Sequence, residues 1–333
     1  MIKSINLPAV LGVGNALMDI ITQLEDDSIL QAYGLPRGSM TLVDAALSQN
    51  IFNATLKNKK EITTGGSAAN TIRCLASLGG NGGYIGKTGN DELGQIFKNE
   101  FTKKGIKTHM ALSEKDTGRV MGLISPDSER TMATYLGAAA DLLTSDLNPS
   151  LLKGYSYFYM EGYLVQNHEL IKSGFEMAKA EGLVTAIDLA SFNVVEANPG
   201  FLKELIKNSV DIVFANEEEA QALTGKSPEE ALEDISGMCG LAIVKVGKDG
   251  SFIKKGGEKI KVNGISAKAI DTTGAGDSYA AGFLYGLTKG FPLEKCGNIA
   301  SLVAGKVVEV LGANLPDSTW NEINAKIKTM ELK

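Results

Sequence analysis

The chain has 333 residues, 44% of them hydrophobic, enough for one large core or for a main domain with a minor appendage. Its 33 basic and 39 acidic residues leave a net charge of −6, and basic clusters as short as Lys57–Lys60 and Lys254–Lys255 do not make a nucleic-acid-binding stripe. Three scattered cysteines (Cys74, Cys239, Cys296) and two histidines (His109, His168) argue against a disulfide framework, a His-rich metal centre and a Ser-His-Asp hydrolase.

From the start of the chain, Met1-Ile-Lys-Ser-Ile-Asn has no basic region followed by an apolar one, so no signal peptide is expected. No apolar run approaches the ~20 residues of a membrane span, and a cytoplasmic protein is the expectation. Pro8–Gly14 reads as a short buried strand ending in glycine. Leu17–Gln23 and Ser39–Val43 read as strands with no helix between them. Glu61–Thr64 is another strand, after which Gly65-Gly66 opens a helix with Ala68, Ile72, Leu75 and Ala76 on one face. Thr108–Ser113, Arg119–Ser125 and Arg130–Leu136 again read as strands without helices between them. Beyond them the rhythm is regular. Continuous apolar runs at Leu183–Asp188, Asp211–Ala215 and Leu241–Val246 suit strands covered on both faces. Helices near Glu169–Glu181, Glu217–Leu223 and Pro228–Met238 fill the gaps. This alternation predicts an α/β fold on a mainly parallel sheet. The two irregular regions predict a small, mostly antiparallel sheet set apart as a lid over a substrate, or else an antiparallel extension of the main sheet.

The sharpest chemical signal is Asp271-Thr272-Thr273-Gly274-Ala275-Gly276-Asp277, followed by a helix with Ala280, Phe283, Leu284 and Leu287 on one face. A Gly-Ala-Gly turn lets the amides of Gly274, Ala275 and Gly276 converge, and a helix N-terminus adds its positive end, which makes an anion site. Asp277 then stands beside that site, able to take a proton from an attacking hydroxyl, or else serving only as a first-turn helix acid. Gly86-Lys87-Thr88 is not a P-loop, because the first glycine of that motif would fall on Asn81. Gly12-Val13-Gly14 lacks the third glycine of a dinucleotide fingerprint and runs into the strand-like Met18–Ile21, which disfavours an NAD-dependent oxidoreductase. Asn15 and Asp19, with Gly65, Gly66, Ser67 and Asn70 at a helix start, suit a polyol. The plainer alternative makes Ser67 an N-cap and Asn70 a solvated residue. Asn216-Glu217-Glu218-Glu219 after an apolar strand reads either as a capped acidic first turn or as a holder of a magnesium–nucleotide complex through Glu219.

Together these motifs resemble the PfkB or ribokinase-like family of carbohydrate and nucleoside kinases, over nearly the whole length from Gly12 to Gly312. The resemblance implies a single three-layer α/β/α domain over residues 1–333, with lid strands roughly within 15–45 and 108–137. It implies ATP-dependent transfer of the γ-phosphate to a hydroxymethyl group, with Asp277 as base and the Gly274, Ala275 and Gly276 backbone as anion hole. Asn216 and Glu219 would organise phosphate and Mg²⁺, Glu219 directly or through water. Asn15, Asp19, Gly66, Ser67 and Asn70, in the motif begun by Gly65, would hold the acceptor. Gly247 and Asn298 would contact the nucleotide. Lys245 stands where the family often has Thr, so no side-chain role is expected for it. Gly14–Asp19, Thr117-Gly118 and Glu129–Ala140 are similar to adenosine kinases, in which an arginine at the place of Arg130 lies near phosphate. Ala69 departs from the Gln usual in eukaryotic adenosine kinases. The expected acceptor is an adenosine-like nucleoside, with a ribose- or fructose-type sugar as the alternative. A monomer or homodimer is expected, and a monovalent cation such as K⁺ near Asp271 and Thr273, as in some relatives, is left open. A non-catalytic nucleotide- or sugar-binding regulator on the same fold is disfavoured by the intact glycine turn and Asp277.

Overall fold

The structure is a computed structural model that describes residues 9–127 and 129–331; Pro8, where the first strand was expected to begin, lies outside the described residues. Strands β1 (Ala9–Val13), β2 (Leu17–Gln23), β3 (Met40–Leu42), β4 (Lys60–Gly65), β5 (Asn81–Gly89), β6 (Lys107–Ser113) and β7 (Gly118–Ile124) occupy the first part of the chain. Then come β8 (Arg130–Tyr135), β9 (Tyr157–Glu161), β10 (Val184–Asp188), β11 (Ile212–Asn216), β12 (Leu241–Lys245), β13 (Ser251–Lys255) and β14 (Glu258–Val262). Nine of them form one sheet in the order β14-β13-β12-β11-β10-β9-β1-β5-β6. It is parallel from β12 to β6, and β13 and β14 extend it antiparallel at one edge.

Side chains alternate across this sheet with period two, and both faces are apolar. On β11, Ile212 and Phe214 pack into one core cluster, with the helices Ser67–Ser77, Ala275–Thr288 and Leu293–Val307. Val213 and Ala215 pack into the other, with His168–Ala180, Pro199–Ser209 and Pro228–Ser236. Burial on both faces explains why β10, β11 and β12 read as unbroken apolar runs.

The second sheet has the order β3-β8-β7-β2-β4. Its pairs are evenly divided: β2–β7 and β3–β8 are parallel, β2–β4 and β7–β8 antiparallel. Mostly antiparallel pairing was expected, and the difference has a local cause. The helices Ser28–Ala32 and Ala45–Ala54 turn the chain between β2, β3 and β4, and they bury Leu30 and Ile51 against Ile20, Met121, Leu123 and Ala133 on the outer face.

Two strands change places relative to expectation. Thr108–Ser113, assigned to the lid, belongs to the main sheet, because β6 pairs in parallel with β5 after a crossover through the helix Glu92–Lys103. Glu61–Thr64 instead belongs to the small sheet, as β4 against β2. The antiparallel extension of the main sheet exists, but β13 and β14 supply it. Gly86-Lys87-Thr88 lies inside β5, where Lys87 pairs with Asp146 at 2.8 Å, so it is no phosphate loop.

Candidate active site

The carboxyl ends of β1, β9, β10, β11 and β12 open on one side of the main sheet. They place Asn15, Glu161, Asp188, Asn216 and Lys245 along one edge of the sheet. Between β1 and β9 the connections diverge to opposite sides of the sheet, which is the place where open α/β sheets bind ligands. There Glu161 is buried and receives three hydrogen bonds. Oε1 accepts from the Asn15 amide (2.9 Å) and from Asn15 Nδ2 (2.6 Å), and Oε2 from the Ala68 amide (2.8 Å). Burial outweighs these bonds and pushes Glu161 up to about 7. One carboxylate thus ties the loop after β1 to the first turn of the helix Ser67–Ser77. Gly66 caps that helix at φ 96°, and a Cβ there would lie 2.1 Å from the Asn15 carbonyl oxygen. Only glycine fits.

Asp277 stands in the first turn of Ala275–Thr288, directly after Gly274 turns the chain in the left-handed region at φ 73°. Its carboxylate is fixed by the helix Ser67–Ser77: the Ser67 hydroxyl donates to Oδ1 (2.6 Å) and Asn70 Nδ2 to Oδ2 (3.0 Å). Ser67 is therefore not an N-cap, and Asn70 is buried rather than solvated. Arg73 in turn orients Asn70, with Nη2 on Asn70 Oδ1 (2.8 Å) and Nη1 on the Thr64 carbonyl (2.6 Å). Burial raises Asp277 to about 6 against the pull of the Ser67 and Asn70 bonds, Asp188 adding to the rise and Lys245 opposing it. Such a carboxylate is ionised at neutral pH and still basic enough to take a proton.

The loop before Asp277 is held by the small sheet. Arg130, at the start of β8, sends Nη1 to Asp271 Oδ2 (3.0 Å) and to Thr273 Oγ1 (2.8 Å). Asp271 also accepts from the Thr273 amide (2.9 Å) and the Gly312 amide (2.8 Å). Burial alone would raise Asp271, but these bonds and the guanidinium hold it below the ordinary carboxylate range. With donors around both oxygens and Arg130 between Asp271 and Thr273, these partners do not fit a monovalent cation.

Across the Gly274–Gly276 turn lies an acidic corner. Asn216 and Glu219 form a reciprocal capping box: Asn216 Oδ1 accepts from the Glu219 amide, and Glu219 accepts from the Asn216 amide and Nδ2, each at 2.8 Å. Burial and nearby Asp188 push Glu219 above the usual carboxylate range, while Lys245 opposes them. Each Glu219 oxygen keeps a lone pair, enough to hold a metal-bound water. Among the described residues no group of three or more His, Cys, Asp or Glu could cage a metal alone. Lys245 Nζ binds Asp188 Oδ2 at 2.6 Å. Asp188 also accepts from the Ala190 amide (3.1 Å), and Ala190 is held at φ 68°, a conformation uncommon for alanine.

Of the residues expected from sequence, Ser67, Asn70 and Asp277 meet directly. Gly65, Gly66 and Asn15 frame them, and Asp19 on β2 is buried against Gly65 within the electrostatic reach of Arg130 and Arg73. Gly247 opens an exposed turn after β12 at φ 53°, and Asn298 is exposed on Leu293–Val307 beside Gly297, which packs on Ile253 and Val262. Glu161, Asp188 and Arg73 went unmarked in the sequence, and Lys245 was set aside. For three of them the available signal was a charged residue closing an apolar strand.

Residues 41–320 match the sequence profile of the pfkB family carbohydrate kinases. The chain is 35% identical to the adenosine kinase of Sinorhizobium meliloti, whose solved structure superposes with a TM-score of 0.86 over 96% of this chain and 99% of that one. An adenosine kinase from Schistosoma mansoni, solved in complex with 2-fluoroadenosine, is 26% identical with a TM-score of 0.79, covering 92% of this chain and 97% of that one. An uncharacterized sugar kinase of Archaeoglobus fulgidus is 30% identical over 247 residues, 72% of this chain and 96% of that protein.

Proposed function

The chain belongs to the pfkB family of carbohydrate kinases, phosphotransferases with an alcohol acceptor, and on that premise we propose that it moves the γ-phosphate of ATP to a hydroxymethyl group of a nucleoside, with Asp277 as general base. The observation that carries this is the Asp277 carboxylate, held by Ser67 and Asn70 immediately after the Gly274–Gly276 turn. The acceptor hydroxyl donates its proton to Asp277 as its oxygen bonds to the γ-phosphorus, and the bond from that phosphorus to the departing ADP oxygen breaks. The Gly274, Ala275 and Gly276 amides receive the charge on the transferring oxygens. Magnesium, carried by the nucleotide and meeting Glu219 through water, would neutralise charge on the phosphates. Asn15, Asp19 and Asn70 supply hydrogen-bonding groups for acceptor hydroxyls.

The preference for a nucleoside rests on the inner face of the small sheet. Strand register puts Ile21, Val120, Met132, Met40 and Leu42 on the same face as Asp19 and Arg130. Met40 and Leu42 are about half exposed, at 48% and 55%. That surface suits the flat apolar face of a base better than a sugar rich in hydroxyls. The likeness to the Sinorhizobium adenosine kinase agrees with this reading. The test is ADP release in a coupled assay with adenosine, other nucleosides, ribose and fructose. A nucleoside is expected to give the highest kcat/KM. A sugar preferred over every nucleoside would replace the acceptor assignment, and no turnover with any acceptor would leave a binding protein.

A further inference from the structure

We infer that Lys245 is a further catalytic residue, whose ammonium binds an oxygen of the transferring phosphoryl group beside the Gly276 amide; the inference rests on the phosphotransfer reading above. Lys245 ends β12, and its Nζ lies 3.2 Å from where a Cβ on Gly276 would stand. The lysine therefore reaches the last residue of the Gly274–Gly276 turn, and the missing side chain at Gly276 is what admits it. Among the described residues its one hydrogen bond, to Asp188 Oδ2, uses one of the three N–H donors of an ammonium.

The charge balance of the corner supports the same role. Burial by itself would lower the lysine, but Asp188, Glu219 and Asp277 outweigh it and hold Lys245 above its ordinary value, so it is a cation at neutral pH. Without it, three carboxylates would face an incoming polyphosphate with no fixed positive charge between them. A point charge next to backbone amides strengthens an anion hole, and it counts for more where water is excluded. Asp188, itself fixed by the Ala190 amide, keeps the ammonium on the turn. The competing explanation is that Lys245 only neutralises Asp188 and Glu219.

The two explanations separate on sulfur substitution. In Lys245→Met, the kcat with ATP and a working acceptor is expected to fall roughly ten- to hundredfold, the worth of a hydrogen bond to a charged group. The ratio of turnover with ATP to turnover with the γ-thio analogue should also narrow, because the contact that sulfur weakens has already gone. If Lys245→Met does not fold, because two buried carboxylates lose their partner, the same ratio is read in Lys245→Met/Asp188→Asn against Asp188→Asn alone. A kcat within about threefold of the parent, less than the weakest such bond would give, overturns the role. So does a large loss with the ratio unchanged, which makes Lys245 a counter-ion. A wild-type protein that phosphorylates no acceptor sinks the kinase reading along with this one. A competent wild type matched by its Lys245→Met variant sinks this inference alone.

Discussion

At Asp277, burial and hydrogen bonding act in opposite directions, and the balance sets the pH range in which the proposed base can work. Below about pH 6 the carboxyl is protonated and cannot accept a proton, so turnover should fall as pH drops through that value. Ser67→Ala removes a bond to the ionised form, which raises the Asp277 value and should move the acid limb of kcat/KM to higher pH. A pH–rate profile with an unmoved limb would detach the limb from Asp277. Asp19→Ala should weaken acceptor binding roughly ten- to hundredfold, the worth of a charge-assisted hydrogen bond, with little change for ATP. Equal losses for both ligands in calorimetry would point to a disturbed fold instead. The residues on either side of this chemistry were not equally legible. Asp277 and the Gly-Gly-Ser turn announce themselves because glycines at fixed spacing have few other uses. Glu161 does not, since a single acid after Tyr157–Met160 looks in sequence like an ordinary solvated strand end. Only the fold shows that it is buried against Asn15 and Ala68.

Among the elements, β10, β11 and β12 were readable because strands covered on both faces must be apolar throughout. β5 was not, because Asn81-Gly-Gly-Tyr-Ile-Gly-Lys-Thr-Gly has neither a continuous apolar run nor clean alternation. With β5 unseen, β6 lost its parallel neighbour and was assigned to the small sheet. β4 was misplaced for a related reason: strand sequence does not say which sheet a strand joins, and only its pairing with β2 decides. The role of the small sheet can be tested on its edge strand. Met40→Ser with Leu42→Ser should raise the KM for a nucleoside roughly fivefold, about 1 kcal/mol for two half-exposed apolar side chains, and leave the KM for ATP alone. An unchanged nucleoside KM would put the base elsewhere than against β3.

Across the whole molecule, the site is assembled from segments that only the completed fold brings together; Ser67 and Asp277 are 210 residues apart in the chain. That arrangement buries carboxyls, and the burial makes stability depend on pH. Glu161 at about 7 and Asp277 at about 6 hold protons in the folded state that the unfolded chain releases above the ordinary carboxylate range. Their contribution is fully present below that range and is lost as pH rises through about 6 to 7. Asp91, Asp211 and Asp271 are shifted down, so their contribution is lost only on acidification below the ordinary range and does not cancel the trend. Tm of the ligand-free protein, followed by circular dichroism, should therefore be higher at pH 5 than at pH 8; the reverse order would contradict the burial of these groups. The central claim is that this buried carboxylate takes the acceptor proton. Its most direct test is Asp277→Asn, with kcat and calorimetric affinities for ATP and acceptor measured on one preparation. Asn keeps the shape but accepts no proton, so kcat should fall about 10²–10⁴-fold while both affinities stay near wild type. A variant that keeps more than about a tenth of wild-type turnover would contradict the account, because a positioned base contributes more than that.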